Sequence, residues 1–222
     1  MKQRLASPSD LVDISGISGL GGITVSGDTV TIGATTTHGE VAGSADVKKA
    51  IPALAAMAGG IGDPQVRSCG TIGGSLANND PAADYPAAVL ALGATIVTNE
   101  REIAGDDFFV GLFETALNDG ELITAVKFPV PTKAGYSKFP NPASRYAVVG
   151  VMYAETSSGI RVGVTGAGPS AFRANDIEAA FSSGSDIPAS SAADLNSDIH
   201  ASADYRAHLI GVMTKRAVEA AG

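Results

Sequence analysis

The segment from Gln65 to Asp84 constrains this chain of 222 residues more than any other. It sets Gly70, Gly73 and Gly74 beside the hydroxyls of Thr71 and Ser75, the amides of Asn78 and Asn79, and the carboxylates of Asp80 and Asp84. Glycine has no Cβ, so peptide N–H groups in such a run can approach an anion such as a phosphate closely. The flanks are apolar and Ala-rich, which predicts a turn-rich loop wedged between regular elements. In one reading, bare amides at 71–75 form an anion site. In the other, the glycines make a tight turn between core elements.

Composition narrows the options. Hydrophobic residues make up 45% of the chain and aromatic ones only 5%, with no Trp, so the protein is globular with a core of Ala, Val, Ile and Leu. The length fits one large domain or two small ones. A formal net charge of −8 argues against nucleic acid or an anionic membrane as partner. No apolar run approaches the roughly 20 residues of a membrane span, and the N-terminus has no apolar signal core. A lone thiol, Cys69, suits a reducing compartment and implies a cytoplasmic location.

Pattern then predicts elements. Residues 11–14, 23–25 and 29–34 read as short strands, the last two forming a hairpin around Gly27-Asp28. Residues 38–58 are helical, with Ser44 as a cap, Pro52 at a first turn and Gly59-Gly60 as the stop. After the glycine segment come a buried apolar run at 87–93, a strand at 94–98 with 101–103 pairing back, a helix at 107–117 and a strand at 122–128. Residues 129–135 mark a boundary. Beyond it, 147–155 and 160–165 form a hairpin, 174–181 a helix capped near Asn175, and 205–221 a helix with a stripe of Leu209, Val212, Met213, Arg216 and Val218.

Taken together, Thr71-Ile72-Gly73-Gly74-Ser75 with Ala77-Asn78, Pro81 and Asp84 resembles the second flavin-pyrophosphate motif of the FAD-binding medium subunit of molybdenum hydroxylases, the carbon monoxide dehydrogenase and xanthine dehydrogenase type. Further landmarks follow in the same order: Leu5-Ala6-Ser7-Pro8, Ile32 to His38, Glu121 to Thr124, Tyr136 to Phe139, Gly166 to Pro169 and Tyr205 to Leu209. The resemblance implies an α+β chain. Residues 1–131 would be a partial FAD-binding domain of the PCMH type, lacking its N-terminal subdomain with the first Gly-Gly loop. Residues 132–222 would be a small C-terminal antiparallel sheet with helices. It implies FAD as cofactor, a large molybdenum-cofactor subunit and a small 2Fe-2S subunit as partners, and electron flow from iron–sulfur clusters through FAD to an external acceptor. The chain alone would not turn over substrate. A rival expectation is a truncated, cofactor-free interaction subunit.

The same resemblance nominates cofactor-binding residues. Gly73 and Gly74 would turn N–H groups to the diphosphate, Thr71 and Ser75 would donate to its oxygens, Asn78 would bond phosphate or ribose, and Val66, Gly70 and Ile72 are nominated with them; Thr71, Ser75 and Asn78 could equally bond their own loop. Asp84 would bond the ribose or adenine side, or cap the following helix. Ala34, Thr35 and Thr36 would leave room for the flat ring, or simply join a strand to a helix. Ile123 would pack on the ring, or be core. Lys138 would set a positive charge near the flavin N1–C2=O edge, or be solvated. Arg67 would meet a phosphate or brace the loop against Asp63, Asp80 or Asp84, and Cys69 is read as packing. No residue is nominated as catalytic. His38, His200 and His208 lack metal-ligand spacing, so no protein-bound metal is expected.

Overall fold

The computed structural model describes residues 8–222; the Leu5-Ala6-Ser7 part of the first landmark lies outside them. The chain begins its regular structure with a hairpin, β1 (Ile23–Ser26) and β2 (Thr29–Gly33), turned at Gly27 with φ +57°. Helices α1 (His38–Gly43), α2 (Ala45–Ala50) and α3 (Pro52–Gly59) follow. Thr37 and Glu40 form a capping box on α1, Ser44 caps α2, and Pro52 opens α3. Residues 11–14, expected as a strand, have no regular structure.

The glycine segment is helical rather than a loop. Asp63 caps α4 (Pro64–Cys69) by accepting from Val66 N, and Thr71 caps α5 (Ile72–Asn78) by accepting from Gly74 N. Asn79 ends α5 in the left-handed region at φ +44°. The apolar run is α6 (Tyr85–Leu92), buried along its whole length.

Strands β3 (Thr95–Thr98) and β4 (Glu102–Ala104) pair as expected. The helix expected at 107–117 is instead one turn, α7 (Gly105–Phe108), and a hairpin of β5 (Phe109–Gly111) and β6 (Glu114–Thr115). The aromatic and β-branched residues there favour extended backbone, and Asn79 Nδ2 clamps it by donating to Gly111 O (2.9 Å) and Glu114 O (2.7 Å). Strand β7 (Ile123–Pro129) completes an antiparallel five-stranded sheet in the order β1-β2-β7-β3-β4.

The remainder is β8 (Lys133–Pro140), β9 (Ala147–Thr156), β10 (Gly159–Thr165), β11 (Phe172–Arg173), α8 (Asn175–Ser183) and α9 (Ala203–Ala221). Its sheet runs β11-β10-β9-β8, again antiparallel. Helix α8 begins at Asn175, so Asn175 is its first helical residue and not its cap; the cap position is Ala174, which makes no side-chain cap. Helix α9 buries Arg206, Leu209, Ile210, Met213, Thr214 and Ala217, leaving Arg216 exposed.

The architecture is therefore α+β with two apolar cores. The first gathers the five-stranded sheet, α1–α3, α5 and α6, and takes in Met152 and Ala154 of β9. The second lies between the four-stranded sheet, α8 and α9. Two glycines make the close contacts. A Cβ at Gly163 would lie 2.2 Å from Ala87 O on α6, and one at Gly135 would lie 2.0 Å from Ala217 O on α9. The first contact presses β10 against α6 and so packs the chain after residue 132 onto the first core.

Candidate cofactor site

Two clefts open around α4 and α5. The first, about 440 Å³, is lined by Val66, Cys69, Gly70, Thr71, Gly74, Ser75, Asn78 and Asp84, with His38, Ile61, Gly62, Asp80, Ala83, Ser144, Arg145 and Tyr146. The second, about 510 Å³ and more apolar, is lined by Ala34, Thr35, Thr71, Gly73, Gly74 and Ile123 among others. Cys69, Thr71 and Gly74 belong to both walls, so the start of α5 is a ridge between the two.

The amides of that ridge are not bare. Ile72 N donates to Thr36 O (3.1 Å), Gly73 N to Ala34 O (2.9 Å), Gly74 N to Thr71 Oγ1 (3.1 Å) and Ser75 N to Thr71 O (3.0 Å). Of the N–H groups expected to be free at 71–75, those of 72–75 are thus spent on the fold. The two glycines divide the work. Gly73 is buried, and a Cβ there would stand 2.6 Å from Ala34 Cβ and 2.7 Å from Ala34 O. Its smallness lets α5 seat on the end of β2. Gly74 is exposed, and a Cβ there would meet only Thr71 Oγ1 at 3.0 Å. Its smallness keeps the ridge low.

Other nominated residues sort the same way. Thr36 Oγ1 is buried and exchanges both its hydrogen bonds with Gly22 (3.0 and 3.1 Å), and the Ile72 side chain is core. Ala34 and Ile123 are at once core and cleft wall. Asp84 does not cap α6. Its Oδ1 accepts from Tyr136 OH (2.6 Å) and Lys138 Nζ (2.9 Å), while Lys138 also donates to Gly60 O (3.0 Å). Lys138 is therefore neither solvated nor on a cleft wall; it stands behind Asp84 as its counter-ion. Burial pushes the Asp84 carboxyl above the usual carboxylate range, with Lys138 and then Tyr136 opposing. Arg67 spends its guanidinium on the carbonyls of Ile61 and Gly62 (3.0 Å each) rather than on a carboxylate.

Sequence reasoning left out the residues that reach this cleft from far away in the chain. Ser144, Arg145 and Tyr146 arrive from the turn between β8 and β9, where Arg145 holds φ +62° and donates to Gly62 O at 3.1 Å. His38 is 5% exposed and lies on the cleft wall, its ring 5.4 Å from that of Tyr85. Burial lowers its pKa to about 4, so the imidazole is neutral at pH 7. The only local signal for His38 was its place just after the Thr35-Thr36-Thr37 run; Arg145 carried none.

The donors fit a long polar-and-aromatic cofactor. Among the described residues, the hydroxyl of Ser75, the amide of Asn78 and the outer N–H groups of Arg145 remain available to a ligand in the first cleft, while Ala34, Ala77 and Ile123 give the second an apolar wall.

Comparison with known proteins identifies the family. Residues 1–131 match the model of the FAD binding domain in molybdopterin dehydrogenase. The chain belongs to that family. The family is one of FAD-binding domains, so its cofactor is FAD. It is 34% identical, over all of its length and 85% of the relative's, to the nicotine 6-hydroxylase medium subunit of Paenarthrobacter nicotinovorans. It is also 34% identical to the carbon monoxide dehydrogenase medium chain of Hydrogenophaga pseudoflava, covering 84% of that chain. The solved carbon monoxide dehydrogenase from the same organism, a form lacking the Mo-pyranopterin moiety, superposes with a TM-score of 0.87 at 33% identity, again over all of this chain and 84% of the other. This is thus a medium, FAD-binding subunit of the molybdenum hydroxylase family. Among the described residues, no helix is long and apolar enough to cross a membrane.

Proposed function

We propose that this chain carries electrons from the iron–sulfur clusters of a small 2Fe-2S subunit through FAD to an external acceptor, in a cytoplasmic complex whose large molybdenum subunit oxidises the substrate. What supports the reading is one juxtaposition: two clefts that share the ridge of Cys69, Thr71 and Gly74, one rich in polar side chains and one apolar. Ser75, Asn78 and Arg145 would hold the polar part of the cofactor, with Thr71 as ridge. Ala34, Thr35, Gly73 and Ile123 would shape the place of the flat ring.

The bound flavin supplies the redox chemistry; the protein supplies position and electrostatics. Lys138 neutralises Asp84, so the buried carboxylate adds little negative field to a cleft that must take an anionic diphosphate. His38, neutral, adds no charge. The chain divides at residues 131 and 132 in this reading, where β7 of one sheet ends at Pro129 and β8 of the other begins at Lys133. No residue is assigned to bond-making chemistry, so the subunit is inactive alone.

The test is a complex purified with all its subunits and then stripped of FAD. Substrate should still bleach the iron–sulfur absorption while reduction of the acceptor stops, and added FAD should restore it. Acceptor reduction that continues at full rate without FAD would overturn the proposal.

A further inference from the structure

The hairpin of β5 and β6 has no role in the clefts, yet it is built with care. Its tip displays Val110, Leu112 and Phe113, exposed at 60%, 56% and 56%. Phe113 holds φ +55°, a conformation that bulky L side chains rarely adopt. The tip is fixed from beneath by Asn79, fully buried, whose side-chain amide donates to the backbone carbonyls on both sides of the turn. Buried polar groups are hydrogen-bonded as a rule, and here that bond is used to set an apolar tip outward.

Charge and place say what the tip meets. From Glu102 to Val126 the chain carries six carboxylates; Glu102 pairs with Lys127, Asp106 with Arg161 and Arg173, and Glu121 with Arg101, which leaves Asp107, Glu114 and Asp119 as the acidic border. Asp107 and Glu114, which flank the hairpin, are exposed. An apolar tip with an acidic border is complementary to an apolar socket with a basic border. The anchor, Asn79, is also the cap of α5 and lies two residues after Ala77, a wall of the second cleft. Two residues of helix span about 3 Å along the axis. Whatever grips the tip stands beside the apolar cleft.

We propose that the hairpin tip, Val110 to Phe113, is the plug by which this chain docks to the subunit that delivers electrons, the one carrying the iron–sulfur clusters, through an apolar socket bordered by basic side chains. The inference rests on the electron-transfer reading above and adds the surface that serves it. The carboxylates set its orientation and its dependence on salt. The Asn79 clamp ties docking to the position of α5, and so to the ridge between the clefts.

The experiment is co-expression of the full set of subunits with the tag on the iron–sulfur subunit. Wild-type chain should be recovered in stoichiometric amount, with recovery falling as salt is raised. Leu112→Ser with Phe113→Ser should lower recovery at least tenfold while leaving the melting temperature and far-UV circular dichroism of the isolated chain unchanged. Asp107→Lys with Glu114→Lys should lower it as well. Ile199→Ser, at a site 95% exposed elsewhere on the surface, should have no effect. Full recovery of the tip variant from a complex that assembles normally overturns the plug and leaves the electron-transfer reading standing. A tip variant that changes only self-association of the chain assigns the surface to a second copy and overturns it too. If wild-type chain is never recovered with the tagged subunit, the complex reading and the plug fall together.

Discussion

Replacing Gly73 or Gly74 by alanine separates the two tasks that the glycine pair performs. At Gly73 the new Cβ would fall 2.6 Å from Ala34 Cβ, 2.7 Å from Ala34 O and 3.0 Å from Ala34 Cα. All three atoms are backbone or its first side-chain atom, so none can swing aside; α5 must lift off β2. Overpacking of this kind costs about 1–3 kcal/mol, and loss of the bond from Gly73 N to Ala34 O adds about 1 kcal/mol. The gain in helix propensity from Gly to Ala offsets about 1 kcal/mol. The net is about 1–3 kcal/mol of lost stability, or roughly 2–12 °C in melting temperature for a chain of this size. At Gly74 the same methyl meets only a hydroxyl at 3.0 Å and stands on the ridge facing both clefts. Gly74→Ala should therefore melt within about 1 kcal/mol of wild type yet bind FAD at least tenfold more weakly. Thermal denaturation and flavin-fluorescence titration, run on both variants, give the four numbers. Equal losses of stability in the two variants, or wild-type affinity in Gly74→Ala, would refute the division.

Three further outcomes follow from the same geometry. Lys138→Met strips the buried Asp84 of its cation and should cost about 3–5 kcal/mol in urea unfolding, and adding Asp84→Asn should recover part of that loss; a variant as stable as wild type would show the pair to be dispensable. His38 has its pKa lowered to about 4 in the fold from an ordinary 6.5, so between those values the unfolded chain binds a proton that the folded one refuses. Stability should fall as pH drops from 6.5 to 4, by at most about 3 kcal/mol and nearer 1–2 kcal/mol once screening at the cleft-facing edge is allowed for; His38→Gln should flatten that slope, and an unchanged slope would exclude His38 as its source. Gly163→Ala places a methyl 2.2 Å from Ala87 O and should destabilise by about 1–3 kcal/mol, read by differential scanning calorimetry; a neutral result would mean α6 and β10 can part without cost.

Where bonds are local, the sequence was legible. Ser44, Pro52 and Gly27 sit at the caps and the turn they predict, because each acts on residues within a turn of itself. The glycine segment was misread as a loop because its glycines suggested free backbone, whereas Asp63-Pro64 and Thr71 cap two short helices there. The 107–117 helix failed for a longer-range reason: the clamp that holds Phe109–Thr115 extended comes from Asn79, more than thirty residues earlier. The same distance hid part of the site. Thr71, Ser75 and Asn78 line the first cleft, Arg145 and Tyr146 reach it only because β8 and β9 fold back over it, and Lys138 pairs with Asp84.

Holding FAD at the ridge of α5 would fall to side chains, not to peptide amides. Titration of the cofactor-free subunit with FAD, followed by quenching of flavin fluorescence, tests this most directly when wild type is set beside a Ser75→Ala, Asn78→Ala, Arg145→Ala triple variant. Saturable binding of one FAD per chain in wild type, weakened at least a hundredfold in a triple variant that keeps its melting temperature, is the predicted result. No saturable binding by wild type, or a triple variant that binds as tightly, would contradict it.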